Sequence, residues 1–147
     1  MDRDLEAVDR MLKALADPTR LRIVGLLHHG EICVCHIHAS LAISQPKASR
    51  HLAYLRRAAV VAAEKRGLWV YYRLAPQASR PAQTLLDAAC HCAGHLATAR
   101  RDAARLVAAT GCCLGPPATF ACEDCAPAAG PGAGCGAARA PRRIALS

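Results

Sequence analysis

The sequence predicts a mainly α fold carrying one β-hairpin, an α+β arrangement in the order α-α-α-α-β-β-α. Apolar residues recur at helical spacing from Leu5 to Leu55, the period changes at Val60 where β-branched and aromatic residues take over, and helical spacing returns after Pro76. At 147 residues the chain can bury one ordinary core without disulfides. One folded domain is expected over 1–110, followed by a Cys-containing Ala/Pro/Gly-rich tail over 111–147.

Leu5, Val8, Leu12 and Leu15 share one face, so 4–16 reads as a first amphipathic helix. Asp17-Pro18 caps a second, mostly buried helix built on Leu21, Ile23, Val24, Leu26 and Leu27, which His28-His29-Gly30 ends. A third short helix runs from about Cys33 to Leu41, with Ala42-Ile43 as the turn after it. Ser44 then N-caps a fourth helix over roughly 44–58, with Pro46 in its first turn. Val60 to Ala63 lead into a basic turn, Lys65-Arg66-Gly67, and Leu68-Trp69-Val70-Tyr71-Tyr72-Arg73-Leu74 returns as the second strand. One long helix is expected from near Ser79 or Pro81 to about Ala109, offering Leu85, Leu86, Ala89, Leu96 and Leu106 for packing. Beyond Gly111 the composition collapses into Ala, Pro and Gly, which cannot bury enough surface to offset chain entropy, so this tail is expected to be disordered. Its basic end, Arg139, Arg142 and Arg143, would add weak nonspecific attraction to DNA.

A formal charge of +8 and a pI near 9.3 favour an anionic partner. Lys47, Arg50, His51, Arg56, Arg57, Lys65 and Arg66 concentrate that charge on the fourth helix and the hairpin, which points to double-stranded DNA. The start, Met1-Asp2-Arg3-Asp4-Leu5-Glu6, does not read as a secretory signal, and no run approaches membrane-spanning length. A reducing cytoplasmic setting is therefore expected. Nine cysteines there more often serve metals or redox chemistry than a disulfide framework.

The most informative stretch is Cys33-Val34-Cys35, with His38 three residues on, just ahead of Ser44-Gln45-Pro46-Lys47-Ala48-Ser49-Arg50-His51. The second segment has the pattern of a recognition helix. For base edges, Gln45, Lys47, Ser49 and Arg50 are the candidates behind the capping Ser44, with His51, Lys65 and Arg66 for phosphates or the minor groove. Paired thiols on the neighbouring helix suggest a bound ion that disturbs the support of the DNA reader. On an intact helix residues i and i+2 point to nearly opposite sides, so joint binding by Cys33 and Cys35 would require the first turn of the third helix to unwind.

Cys90-His91-Cys92-Ala93-Gly94-His95 repeats the Cys-x-Cys-x-x-His spacing on the last helix. Asp87, His91 and His95 stand four residues apart, a spacing suited to zinc, so Asp87, Cys90, His91, Cys92 and His95 form a second candidate metal set. Histidines and small cysteines also pack well at a helical dimer seam. Cys112 or Cys113 would supply a third sulfur to the first site. Cys122-Glu123-Asp124-Cys125 has no βαβ context for redox work and no second pair for a closed zinc site. A thiol-dependent enzyme would need a positioned acid or base and a pocket, and a metal-buffering protein would leave the recognition helix unexplained.

Leu12-Lys13-Ala14-Leu15-Ala16-Asp17-Pro18-Thr19-Arg20-Leu21-Arg22-Ile23, Glu31-Ile32-Cys33-Val34-Cys35, Ser44-Gln45-Pro46-Lys47-Ala48-Ser49-Arg50-His51-Leu52 and Gly67-Leu68-Trp69-Val70-Tyr71-Tyr72-Arg73-Leu74 together resemble the ArsR family of metal- and metalloid-responsive repressors. The resemblance covers about residues 8–110 and implies a winged helix-turn-helix homodimer bound to an inverted-repeat operator. Within that family the Glu-x-Cys-Val-Cys box marks repressors induced by arsenite or antimonite, so the resemblance implies those inducers at Cys33 and Cys35. A repressor answering zinc, cadmium or lead is the alternative. Where the family's box commonly has a third cysteine this chain has His38, a harder donor more at home on zinc or copper. His38, Cys112 and Cys113 all stand as candidates for the third ligand.

Overall fold

The structure, a computed structural model, describes residues 2–110. The element order is α1 (Arg3–Leu15), α2 (Pro18–Leu27), β1 (Ile32–Cys33), α3 (Val34–Leu41), α4 (Gln45–Arg57), β2 (Val61–Arg66), β3 (Trp69–Leu74), α5 (Arg80–His95) and α6 (Ala97–Thr110). Four of the helices begin on a side chain that accepts an otherwise unpaired backbone N–H. Asp2 receives Asp4 N and Asp17 receives Arg20 N, both at 2.9 Å; Ser44 receives Lys47 N at 3.3 Å and Ser79 receives Ala82 N at 3.5 Å. Met11, Ile23, Val24, Leu27, Ile37, Leu41, Leu52, Leu55, Val60, Leu86 and Leu106 form one core beneath the helices.

The turn between α3 and α4 closes because Ala42 adopts a left-handed φ of 55° and Ile43 N reaches back to His38 O at 3.1 Å. α4 buries Ala48, Leu52 and Leu55, so its opposite face stays in solvent. The hairpin turns on Gly67, at φ 60°, and Leu68, joining the paired Arg66 and Trp69. A positive φ at the first of two central residues suits the right-handed twist of the strands. Lys65 and Arg66, expected in the turn, lie instead in the ladder at the end of β2.

Two elements differ from the expected order. A third strand, β1, pairs antiparallel with β3 in the order β1-β3-β2, with Ile32 opposite Tyr72 and Cys33 opposite Tyr71. Two residues are too few to show an alternating pattern. The single long last helix is two helices, broken where Leu96 becomes extended at ψ 142°. The break lets α6 fold onto α2 and α3. Asp102, 1% exposed, accepts from Arg22 Nε at 2.8 Å and Nη2 at 2.7 Å, while the same Nη2 reaches Leu41 O at 3.1 Å. A straight helix would carry both Asp102 and Leu106 away from these partners. Gly94, which has open space around it, weakens the helix just before the break.

Candidate thiol site and nucleic-acid interface

Cys33 is not on the third helix. It is the N-cap residue of α3, with extended φ and ψ of −68° and 144°, and it closes β1. Cys35 sits one residue inside the helix, and this change of backbone direction brings Cys35 Sγ to 3.0 Å from Cys33 Sγ. The expected unwinding of the first turn is therefore unnecessary for the two sulfurs to meet, because the i, i+2 geometry of a helix never applied to them. α5 shows the contrast. There the same Cys-x-Cys spacing lies within a helix, and Cys90 is buried while Cys92 is exposed.

The two thiols are electrostatically unequal. Cys35 donates to Cys33, and that hydrogen bond, opposed by burial and assisted by the backbone N–H groups of Cys35, Val70 and Val34, draws the Cys33 thiol down to about 7. Cys35, holding the shared proton and half-buried, is pushed well above the usual thiol range. Cys33 is thus the sulfur with the greater thiolate character near neutral pH, only 4% exposed, with Cys35 at the more open edge. Ile32 and Cys33 attach the pair to β3, and α3 leads from it to the turn before α4.

Among the described residues no three His, Cys, Asp or Glu side chains gather into a group that could hold a metal ion. His38 is turned to the helix-turn-helix corner, its Nδ1 3.3 Å from Ile43 O. Cys112 and Cys113 lie outside the described residues, as do the tail and Cys122 and Cys125; the described part ends with α6, which packs against α3. The second candidate set is divided. Cys90 is raised to about 11 by burial and by Asp87, and with Asp87 and His28 it lines a cleft of about 250 Å³. His91 and His95 stay on the exposed side with ring centroids 4.5 Å apart, and Asp87 accepts from Gln83 at 2.8 Å.

Ser44, Gln45, Lys47, Ser49 and Arg50 are all exposed at the leading end of α4. His51 turns inward, its Nδ1 3.7 Å from the Asp17 carboxylate that caps α2, so it braces the reader against α2. On the wing, Lys65 is exposed. Arg66 is held by two carboxylates, Glu31 at 2.6 Å and Glu64 at 2.8 Å, and its guanidinium lies 4.8 Å from the Tyr71 ring centroid. Neither the Glu31–Arg66 pair nor Arg22–Asp102 is foreshadowed by any sequence pattern, because each joins residues with no local spacing rule between them.

An exposed polar helix set behind a tight turn and flanked by a three-stranded sheet defines a winged helix-turn-helix DNA-binding protein. The architecture is similar to that of HlyU from Vibrio cholerae, at a TM-score of 0.54 and 29% identity over 63% of this chain and 97% of that one. It is also similar to a homodimeric winged helix-turn-helix DNA-binding domain from Mycobacterium bovis, at a TM-score of 0.51 and 32% identity over 60% and 80% of the two chains. The family model for bacterial regulatory proteins of the arsR family matches residues 17–62. The arsenical resistance operon repressor of Escherichia coli K12 is 48% identical over 84 residues, 56% of this chain and 72% of that protein. An arsenic resistance transcriptional regulator of Pseudomonas putida, ArsR1, is 50% identical over 68 residues, 46% of this chain and 53% of its own length. The chain belongs to the ArsR family: it is a winged helix-turn-helix transcriptional repressor, not an enzyme. No helix among the described residues is long and apolar enough to cross a membrane.

Proposed function

We propose that this repressor leaves its operator when trivalent arsenic or antimony binds Cys33 and Cys35, and so derepresses a metalloid-resistance operon. The observation that carries this reading is the 3.0 Å approach of the two sulfurs at the N-cap of α3, with the reading helix beginning at Gln45 just beyond. Soft sulfur donors suit a soft trivalent centre. Each arsenic hydroxide leaves as water with a thiol proton, so arsenite needs no prior metal exchange. The third donor in this proposal is Cys112 or Cys113, which follow α6, with His38 as the alternative. Bonding to the centre takes Cys33 Sγ away from the N–H groups of Val34, Cys35 and Val70 and reshapes the start of α3. Moving the operator from almost fully bound to almost fully released needs about 5.5 kcal/mol of differential affinity between the two states.

The DNA-bound form in this reading is a homodimer paired through the first and last helices. It would place two copies of α4 in successive major grooves of an inverted repeat, with half-site centres ~10 base pairs apart. Gln45, Lys47, Ser49 and Arg50 would read bases, and Lys65 would meet the backbone. Fluorescence anisotropy of a labelled operator, selected from random DNA by the protein itself, tests the inducer. Arsenite and antimonite should release it at concentrations where zinc and cadmium do not. Release by zinc or cadmium alone would replace this reading with a divalent-ion sensor.

A further inference from the structure

We infer that Glu31 and Arg66 are positioning residues that carry the inducer signal from Cys33 into the wing, giving the repressor a second output besides α4. The inference rests on arsenite binding at Cys33 and Cys35. β1 is only two residues long and, among the described residues, pairs with no strand but β3, so whatever moves Cys33 acts directly on the wing. The backbone N–H of Val70 on β3 also favours the Cys33 thiolate. Once that sulfur bonds to a metalloid, part of its charge is drawn into the new bond and its pull on Val70 N weakens.

Glu31 stands immediately before β1 and reaches Arg66 Nη1 at 2.6 Å. Arg66 Nη2 holds Glu64 at 2.8 Å, and its guanidinium lies over Tyr71, the residue opposite Cys33. One cation thus ties the sensor strand to both wing strands. The planar guanidinium can satisfy two carboxylates and an aromatic face at once, and that makes the link directional as well as electrostatic. A displaced β1 pulls Glu31, and through Arg66 it re-aims the end of the hairpin where Lys65 stands.

The chain's sole tryptophan, Trp69, pairs with Arg66 and reports this end of the wing by its own emission. In the full-length protein, arsenite binding is read by arsenic–thiolate ultraviolet absorbance, wing movement by Trp69 emission and release by operator anisotropy. In the wild type all three should share one midpoint. Glu31→Gln should bind arsenite at the wild-type midpoint, lose the Trp69 response and need about fivefold more arsenite for release. Glu31→Asp, which keeps the carboxylate, should restore both. Arg66→Ala should abolish the Trp69 response too, and adding Glu31→Gln to it should change nothing further. A wild-type Trp69 response and release midpoint in Glu31→Gln, or an unaltered Trp69 response in Arg66→Ala, would overturn the inference. Absence of arsenic–thiolate absorbance in the wild type would instead remove the arsenite reading beneath it.

Discussion

The Cys35 thiol donates to the Cys33 sulfur and favours its thiolate, and that inequality gives the site a pH signature. Condensing arsenite with a thiol releases water and no net proton, whereas starting from a thiolate consumes one. Cys33 is held at about 7, so arsenite affinity should be flat below that pH and fall above it, by about tenfold per unit. A divalent cation displaces protons instead and should bind more tightly as pH rises. Titrating arsenite and cadmium one unit either side of neutrality checks both directions; arsenite affinity that climbs through neutral pH would contradict the assigned thiolate. The cations of the wing divide as well. Lys65→Ala should lower the salt slope of operator binding by about 1, while Arg66→Ala, whose charge already meets Glu31 and Glu64, should change it less. The thiol pair and the exposed α4 residues were legible in the sequence because residue type and spacing carry that information. The inward turn of His51 to Asp17 and the double pairing of Arg66 were not, since partners distant in sequence decide them.

At the scale of elements, the same Cys-x-Cys spacing works in two ways according to where the helix begins. Within α5 it separates the thiols; across the N-cap of α3 it joins them. Sequence spacing located that helix start to within a residue, and a one-residue error was enough to reverse the geometry of the site. The caps of α2 and α4 were legible because Asp17-Pro18 and Ser44 followed by Pro46 are local signals. Ser44→Ala should lower unfolding free energy by about 1 kcal/mol in urea denaturation. The break at Leu96 was hidden because what bends the chain is the long-range burial of Asp102 on Arg22. Asp102→Ala should destabilise the protein by about 3 kcal/mol, since it strips a buried bidentate partner from Arg22. A loss no larger than that of an exposed ion pair, below about 1 kcal/mol, would show that α6 is held by its apolar face alone.

For the whole molecule, the exposed Leu5 and Leu12 lie on one face of α1, at 56% and 51%, beside the half-buried Val8. Burial of that face by a second copy is part of the proposed homodimer. Leu5→Glu/Leu12→Glu should sediment as a monomer and lose tight operator binding; a variant that still sediments as a dimer would move the interface elsewhere. The order of helices and hairpin, and the family to which they belong, could be read from four motifs in succession. The closure of the molecule by β1 and α6 could not, although both elements pack against α3 beside the proposed site. The central claim, that operator release starts at the thiol pair at the N-cap of α3, is tested most directly by titrating arsenite into operator complexes of the wild type and of Cys33→Ser/Cys35→Ser. The double variant should bind the operator as the wild type does and stay bound at arsenite concentrations that fully release the wild type. Full release from the double variant at the wild-type midpoint would contradict the account.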